Sequence, residues 1–223
     1  VNPLPGLFVV TGGGNYCAGG TGVTVGLGGS QSGVNYQLYV GSTPAGTAVS
    51  GTGGSITFGL QTTAGTYTIV ATNATTGCVN TMSGFVTVVV NPVPTTFTGA
   101  SVLCVGATTT LASTPTGGTW TSTSPAVASI GSTSGFVTGL SGGTTTISYT
   151  LSTGCFRTSV ITINPNPASI TGTMNVCVGS TTTLSSTTTG GTWTSSNTAM
   201  ATVGSSSGVV TGVSAGTLTI TYT

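Results

Sequence analysis

The chain has 223 residues and a single charged side chain, Arg157; Asp, Glu, His and Lys do not occur. One cation makes no basic patch for nucleic acid or an anionic bilayer, and a Ser or Thr nucleophile has no side-chain base to activate it, so the chain reads as no enzyme and as holding no cofactor. With hydrophobic residues at 37% and Val, Ile and Thr abundant, the composition favours an all-β fold over disorder.

In chain order, Val1-Asn2-Pro3-Leu4-Pro5 has no basic leader and resembles a module close found later at Val90-Asn91-Pro92, as though the chain were cut from a longer array. Gly12-Gly13-Gly14 is followed by neither Lys nor helical spacing, so it reads as a turn rather than a phosphate loop. Val34 to Val40 and Thr66 to Ala71 alternate apolar with polar residues, the period of a half-buried strand. Asn73-Ala74-Thr75 fits a glycosylation sequon. The apolar run Phe85 to Val90 is too short to span a bilayer, so no membrane insertion is expected. It closes on Asn91-Pro92-Val93-Pro94, and a second such linker follows at Asn164-Pro165-Asn166-Pro167; proline there stiffens a joint and predicts a semi-rigid rod. Thr144 to Thr150 and Leu218 to Tyr222 are the last predicted strands.

The second and third parts of the chain are copies of one another. Cys104-Val105-Gly106 and Cys177-Val178-Gly179, Trp120 and Trp193, and Ile147 and Ile220 are each 73 positions apart. The constant offset, without insertion and at about 60% identity, marks a tandem module. The first ninety residues share the frame but not the text, with an early Cys17, a late Cys78 and the close Phe85 to Pro92. The division is into modules 1–92, 93–166 and 167–223, the third lacking its last strand. Several short strands in each predict three tandem immunoglobulin-like β-sandwiches in an elongated array.

Trp193, Ala201-x-Val203, Gly208-x-Val210-x-Gly212 and Gly216-Thr217-x-x-Ile220 carry a resemblance to bacterial immunoglobulin-like repeats of group 2, which extends over 97–150 and 170–223. Residues 1–91 are similar to immunoglobulin-like or PKD-like modules of giant secreted surface proteins of Bacteroidetes, through Tyr16-Cys17-Ala18-Gly19-Gly20 and Ala64-Gly65-Thr66-Tyr67-Thr68. The resemblance implies a spacer in adhesins or surface filaments, exported by the type IX route. The absence of acidic residues departs from family members whose linkers are rigidified by calcium.

The cysteines have no C-x-x-C spacing and no His beside them, so disulfides are expected rather than a metal site. Each complete module has one Cys near its start and one in the hairpin before its last strand, which predicts the pairs Cys17–Cys78 and Cys104–Cys155, each stabilising by about 4 kcal/mol, and an oxidising, extracellular location. Cys177 is left unpaired; the offset puts its counterpart at position 228, past Thr223, and a strand supplied by another molecule is the other way to complete the third module. Trp120 and Trp193 are expected in the cores rather than as sugar-stacking platforms, and Arg157 on the surface.

A surface bare of charge repels no second copy, so the expected role is a structural or adhesive segment of a bacterial cell-surface fibre, self-associating into a fibre or sheath. The alternative is a carbohydrate- or ice-binding module that uses Thr-rich faces such as Thr108 to Thr110 and Thr181 to Thr183.

Overall fold

The computed structural model describes residues 1–223, and every regular element in it is a strand. The first module holds β1 (Val10–Gly12), β2 (Gly14–Cys17), β3 (Val23–Leu27), β4 (Val34–Val40), β5 (Thr43–Pro44), β6 (Val49–Ser50), β7 (Ile56–Gln61), β8 (Gly65–Asn73), β9 (Val79–Thr81) and β10 (Val86–Asn91). One sheet runs β1-β3-β7; the other runs β2-β10-β8-β4-β5, with β6 also on β4 and β9 on β8. Alternation decides which side chains face inward: Val34, Tyr36 and Leu38 of β4 and Tyr67, Ile69 and Ala71 of β8 are buried in a core of 12 residues.

The second module holds β11 (Val102–Cys104), β12 (Thr108–Thr110), β13 (Thr119–Ser122), β14 (Ala128–Ile130), β15 (Phe136–Gly139), β16 (Gly143–Thr150) and β17 (Phe156–Asn164). Its sheets are β11-β17-β16-β13 and β12-β15-β14, and they enclose a core of 10 buried residues. Trp120 lies at its centre, 4.4 Å from the ring of Tyr149 and 4.8 Å from that of Phe97. The Tyr149 hydroxyl donates to the Pro115 carbonyl at 3.1 Å and accepts from Gly118 N–H at 2.8 Å, so the buried phenol leaves no polar atom unpaired.

The third module repeats this frame with β18 (Thr181–Thr183), β19 (Trp193–Ser195), β20 (Ala201–Val203), β21 (Val209–Gly212) and β22 (Ile220–Tyr222). Trp193 lies 4.6 Å from Tyr222, whose hydroxyl donates to Thr188 O at 2.7 Å and accepts from Gly191 N–H at 2.9 Å. Its buried core is only 4 residues. In the second module β17 covers the whole of β16 and buries Ile161 and Ile163. Within residues 1–223 β22 pairs only with β19, and Leu218 and Ile220 are half-buried beside an open cleft of about 430 Å³. Ile147, the counterpart of Ile220, is fully buried.

Candidate functional site at the joint between modules

The cysteines are placed by strand direction. β2 runs parallel to β10, with Cys17 opposite Asn91, so Cys17 sits where the first module ends. Cys78 follows the far end of β8, whose Gly65 end lies beside Val88. The nine residues of β8 hold Cys17 and Cys78 at opposite poles, about 30 Å apart at ~3.3 Å per residue. In the second module Cys104 faces Asn164 at the end of β17, and Cys155 lies in the turn that begins it. Two cysteines bond only when their Cα atoms come within about 7 Å, so neither expected intramodule pair forms.

The bond joins the modules instead. Cys17 is linked to Cys155 across 138 residues, with the Cα atoms 5.6 Å apart. This corrects the pairs Cys17–Cys78 and Cys104–Cys155. Cys78, Cys104 and Cys177 are free thiols, Cys78 half-buried and the other two exposed. Cys155 is itself fully buried at the joint.

Around this clasp the linker is fixed at its second proline. Pro94 is fully buried, and its carbonyl accepts a hydrogen bond from Arg157 Nε at 2.6 Å. The chain's one cation, expected as a solvated surface group, thus holds the backbone between two modules while the rest of its side chain stays exposed. The first module has the same arrangement in other residues. Pro5 is buried, and its carbonyl accepts from Asn80 Nδ2 at 2.7 Å. Asn80 and Arg157 both stand two positions after the hairpin cysteine, in Thr76-Gly77-Cys78-Val79-Asn80 and Thr153-Gly154-Cys155-Phe156-Arg157. Pro167, the matching proline before the third module, is exposed.

The other residues singled out in the sequence lie away from the joint. Trp120 and Trp193 are 5% and 6% exposed, within the second and third cores, which leaves no ring face for a sugar. Asn73 accepts backbone bonds from Thr75 and Thr76, both at 3.0 Å, and so caps its own turn. Thr108–Thr110 and Thr181–Thr183 form sheet-edge strands, β12 and β18. Their middle hydroxyls are engaged with backbone: Thr109 accepts from Ala100 N–H at 3.2 Å, and Thr182 donates to Thr173 O at 3.1 Å. No group of three or more His, Cys, Asp or Glu side chains converges, and no helix is long and apolar enough to cross a membrane. The one clear pKa displacement is that of Tyr67, whose hydroxyl is pushed up from its ordinary value of 10.0 by burial. Sequence reasoning missed the joint, although the shared Thr-Gly-Cys-x-x-Thr of residues 76–81 and 153–158 marks both hairpins.

The likeness to intimin agrees with this architecture. No curated protein matches the sequence. The C-terminal 282-residue fragment of intimin, solved in complex with the intimin-binding domain of the translocated intimin receptor, is 20% identical with a TM-score of 0.50, covering 78% of this chain and 69% of that one. Sidekick-1 immunoglobulin domains 1–5 give 13% identity, a TM-score of 0.39 and coverage of 92% and 52%. Mouse cadherin-23 EC22–24 gives 14%, 0.31, and 89% and 83%. At these identities the likeness concerns the fold. The chain is an all-β tandem array of immunoglobulin-like sandwiches, and its residues 157–223 match the family model of the bacterial Ig-like domain (group 2).

Proposed function

We infer that the chain is a load-bearing, structural or adhesive spacer of an extracellular bacterial surface fibre, and that it performs no catalysis. The observation that carries this reading is the Cys17–Cys155 bond across the joint. When the ends of the chain are pulled, tension reaching Cys17 passes through the disulfide to Cys155, and residues 18–154 lie outside the load path. Most of two modules is thereby protected from extension without any need for a strong core. A bond of this kind persists in an oxidising compartment, which supports a location outside the cytosol. The lack of Asp, Glu, His and Lys supports the non-catalytic reading, because the commonest general acids and bases are missing. It also supports lateral association of the fibres, since nothing repels a second copy.

Single-molecule stretching tests this reading. The oxidised chain should withhold the length between Cys17 and Cys155, whose separation of 138 residues corresponds to about 480 Å of extended chain. That length should appear only after a thiol reductant is added. Full extension under oxidising conditions would contradict a load-bearing clasp.

A further inference from the structure

We propose that Cys78, Cys104 and Cys177 are sites of further clasps of the Cys17–Cys155 kind, each joining the C-terminal pole of one module to the hairpin cysteine of the next. The partner in each case is a β-sandwich module of the same design. The inference rests on the geometry of the clasp and not on its bearing load.

The poles of Cys17 and Cys104 are built alike, and that of Cys177 shares their turn. Cys17 is opposite Asn91 in a parallel pairing, and Ala18 N–H donates to Asn91 O at 2.8 Å. Cys104 is opposite Asn164 in the same parallel pairing, and Val105 N–H donates to Asn164 O at 2.9 Å. A tight turn follows each cysteine, closed onto its carbonyl by Gly20, Ala107 and Ser180 N–H at 2.9, 3.0 and 3.0 Å, with Gly19, Gly106 and Gly179 at φ of 82, 85 and 82°. Only the first of the three has a hairpin cysteine from a following module within reach, and that one is bonded. Cys104 and Cys177 are exposed residues with free thiols and no such hairpin beside them.

Cys78 is the complementary half. Its turn matches that of Cys155, with Gly77 and Gly154 at φ of 70 and 84° before the cysteine, and Asn80 holds Pro5 as Arg157 holds Pro94. Its Sγ lies 3.9 Å from the carbonyl oxygen of Asn2. Asn2 begins the linker Asn2-Pro3-Leu4-Pro5 as Asn91 begins Asn91-Pro92-Val93-Pro94, and Asn91 is the residue opposite the bonded Cys17. Cys78 therefore waits where the pole cysteine of a preceding module would lie. All five cysteines then have one role, in contrast to the two pairs and a remainder expected from the sequence.

Each clasp forms by thiol–disulfide exchange with a disulfide oxidant, either a protein or glutathione disulfide. One thiolate attacks the oxidant and releases its first thiol. The other thiolate then displaces the second, so that one S–S bond forms, the oxidant's S–S bond is broken, and the two protons of the protein thiols pass to the departing thiolates, which leave as two thiols.

Two extended chains test the proposal, each refolded in a glutathione redox buffer, digested without reduction and mapped by mass spectrometry. In the first, a copy of residues 151–167 follows Thr223 and gives the third module a hairpin cysteine and closing strand. In the second, a copy of the complete module 93–165 replaces residues 1–3, so that its pole cysteine meets Cys78. We expect the first to link its added cysteine to Cys104, so that free thiols fall from three in the parent chain to two, and the second to link the added pole cysteine to Cys78. A link between the added hairpin cysteine and Cys177, or free thiols at Cys104 or Cys78 in chains with Cys17–Cys155 formed and native near-ultraviolet circular dichroism, would overturn it. The second extension has every strand of the modules it joins, so a folding failure of the first leaves the decision with the second.

Discussion

Arg157 Nε and the Pro94 carbonyl meet at 2.6 Å across 63 residues of chain, so the one charge in the protein is used to hold a linker. A charge-assisted bond of this kind, partly exposed, contributes about 1 kcal/mol. Arg157→Ala should therefore loosen the joint without unfolding either module. Hydrogen exchange should report it, with the Thr95 amide, which donates to Thr114 O, exchanging about fivefold faster while β4 and β8 are unchanged. Unaltered exchange at Thr95 would mean that the disulfide alone orders the linker.

Gly135 is a second point where one residue type is required. It adopts φ +67°, and a Cβ there would press on the Leu111 carbonyl and lie 3.1 Å from Trp120 Nε1. Left-handed backbone costs an L-residue about 1–2 kcal/mol, and the clash with backbone adds to it. Gly135→Ala should lower the stability of the second module by about 2–4 kcal/mol, and Gly208→Ala should act in the same way on the third, where the contacts are with Leu184 and Trp193. Chemical denaturation followed by tryptophan fluorescence measures both, and a loss below about 1 kcal/mol would show that the turn adapts.

The cleft beside Leu218 and Ile220 has the place of the second module's β17. A synthetic peptide with the sequence Phe156–Pro165 should bind there and shift Trp193 fluorescence, while a scrambled peptide should not. Binding should also raise the unfolding temperature of the third module in proportion to the logarithm of peptide concentration. A flat titration to millimolar peptide would show that the cleft is not a strand seat.

Stability should be nearly independent of pH from about 4 to 9, since there is no Asp, Glu or His to titrate between the folded and unfolded states. Tyr67 has a raised folded pKa because burial disfavours its phenolate. A raised value means that its contribution is complete below the ordinary value of 10.0 and is lost as pH rises through the folded one. With the free thiols alkylated, the first module's melting temperature should therefore fall only above about pH 10. Tyr67→Phe, which removes the donor to Thr63 O at 2.8 Å, should reduce that alkaline loss. An acid transition near pH 4 would contradict this account.

The sequence was most legible where local pattern decides the structure. Val34 to Val40 was expected as a strand and is β4 with those bounds; Thr66 to Ala71 and Thr144 to Thr150 lie within β8 and β16. Alternation every second residue is enough for this, because one sheet face must be buried. Leu218 to Tyr222 is shorter in the structure, as β22, which pairs only with β19 within residues 1–223. The disulfide was misread. Loop-entropy arguments stabilise any distant pair, and they carry no information about which pole a cysteine occupies. Strand direction does: Cys17 stands at the end of a strand parallel to the last one, and Cys78 in the hairpin that follows β8 at the opposite pole. Arg157 could have been assigned only by noticing that it and Asn80 hold the same place after a Thr-Gly-Cys turn.

Cys17 and Cys155 are covalently joined while both modules keep their own folds. Non-reducing digestion of the native, thiol-blocked chain followed by mass spectrometry tests it most directly. We expect one cross-linked species containing Cys17 and Cys155, with blocking groups on Cys78, Cys104 and Cys177. Recovery of Cys17 linked to Cys78, or of Cys104 linked to Cys155, would contradict it.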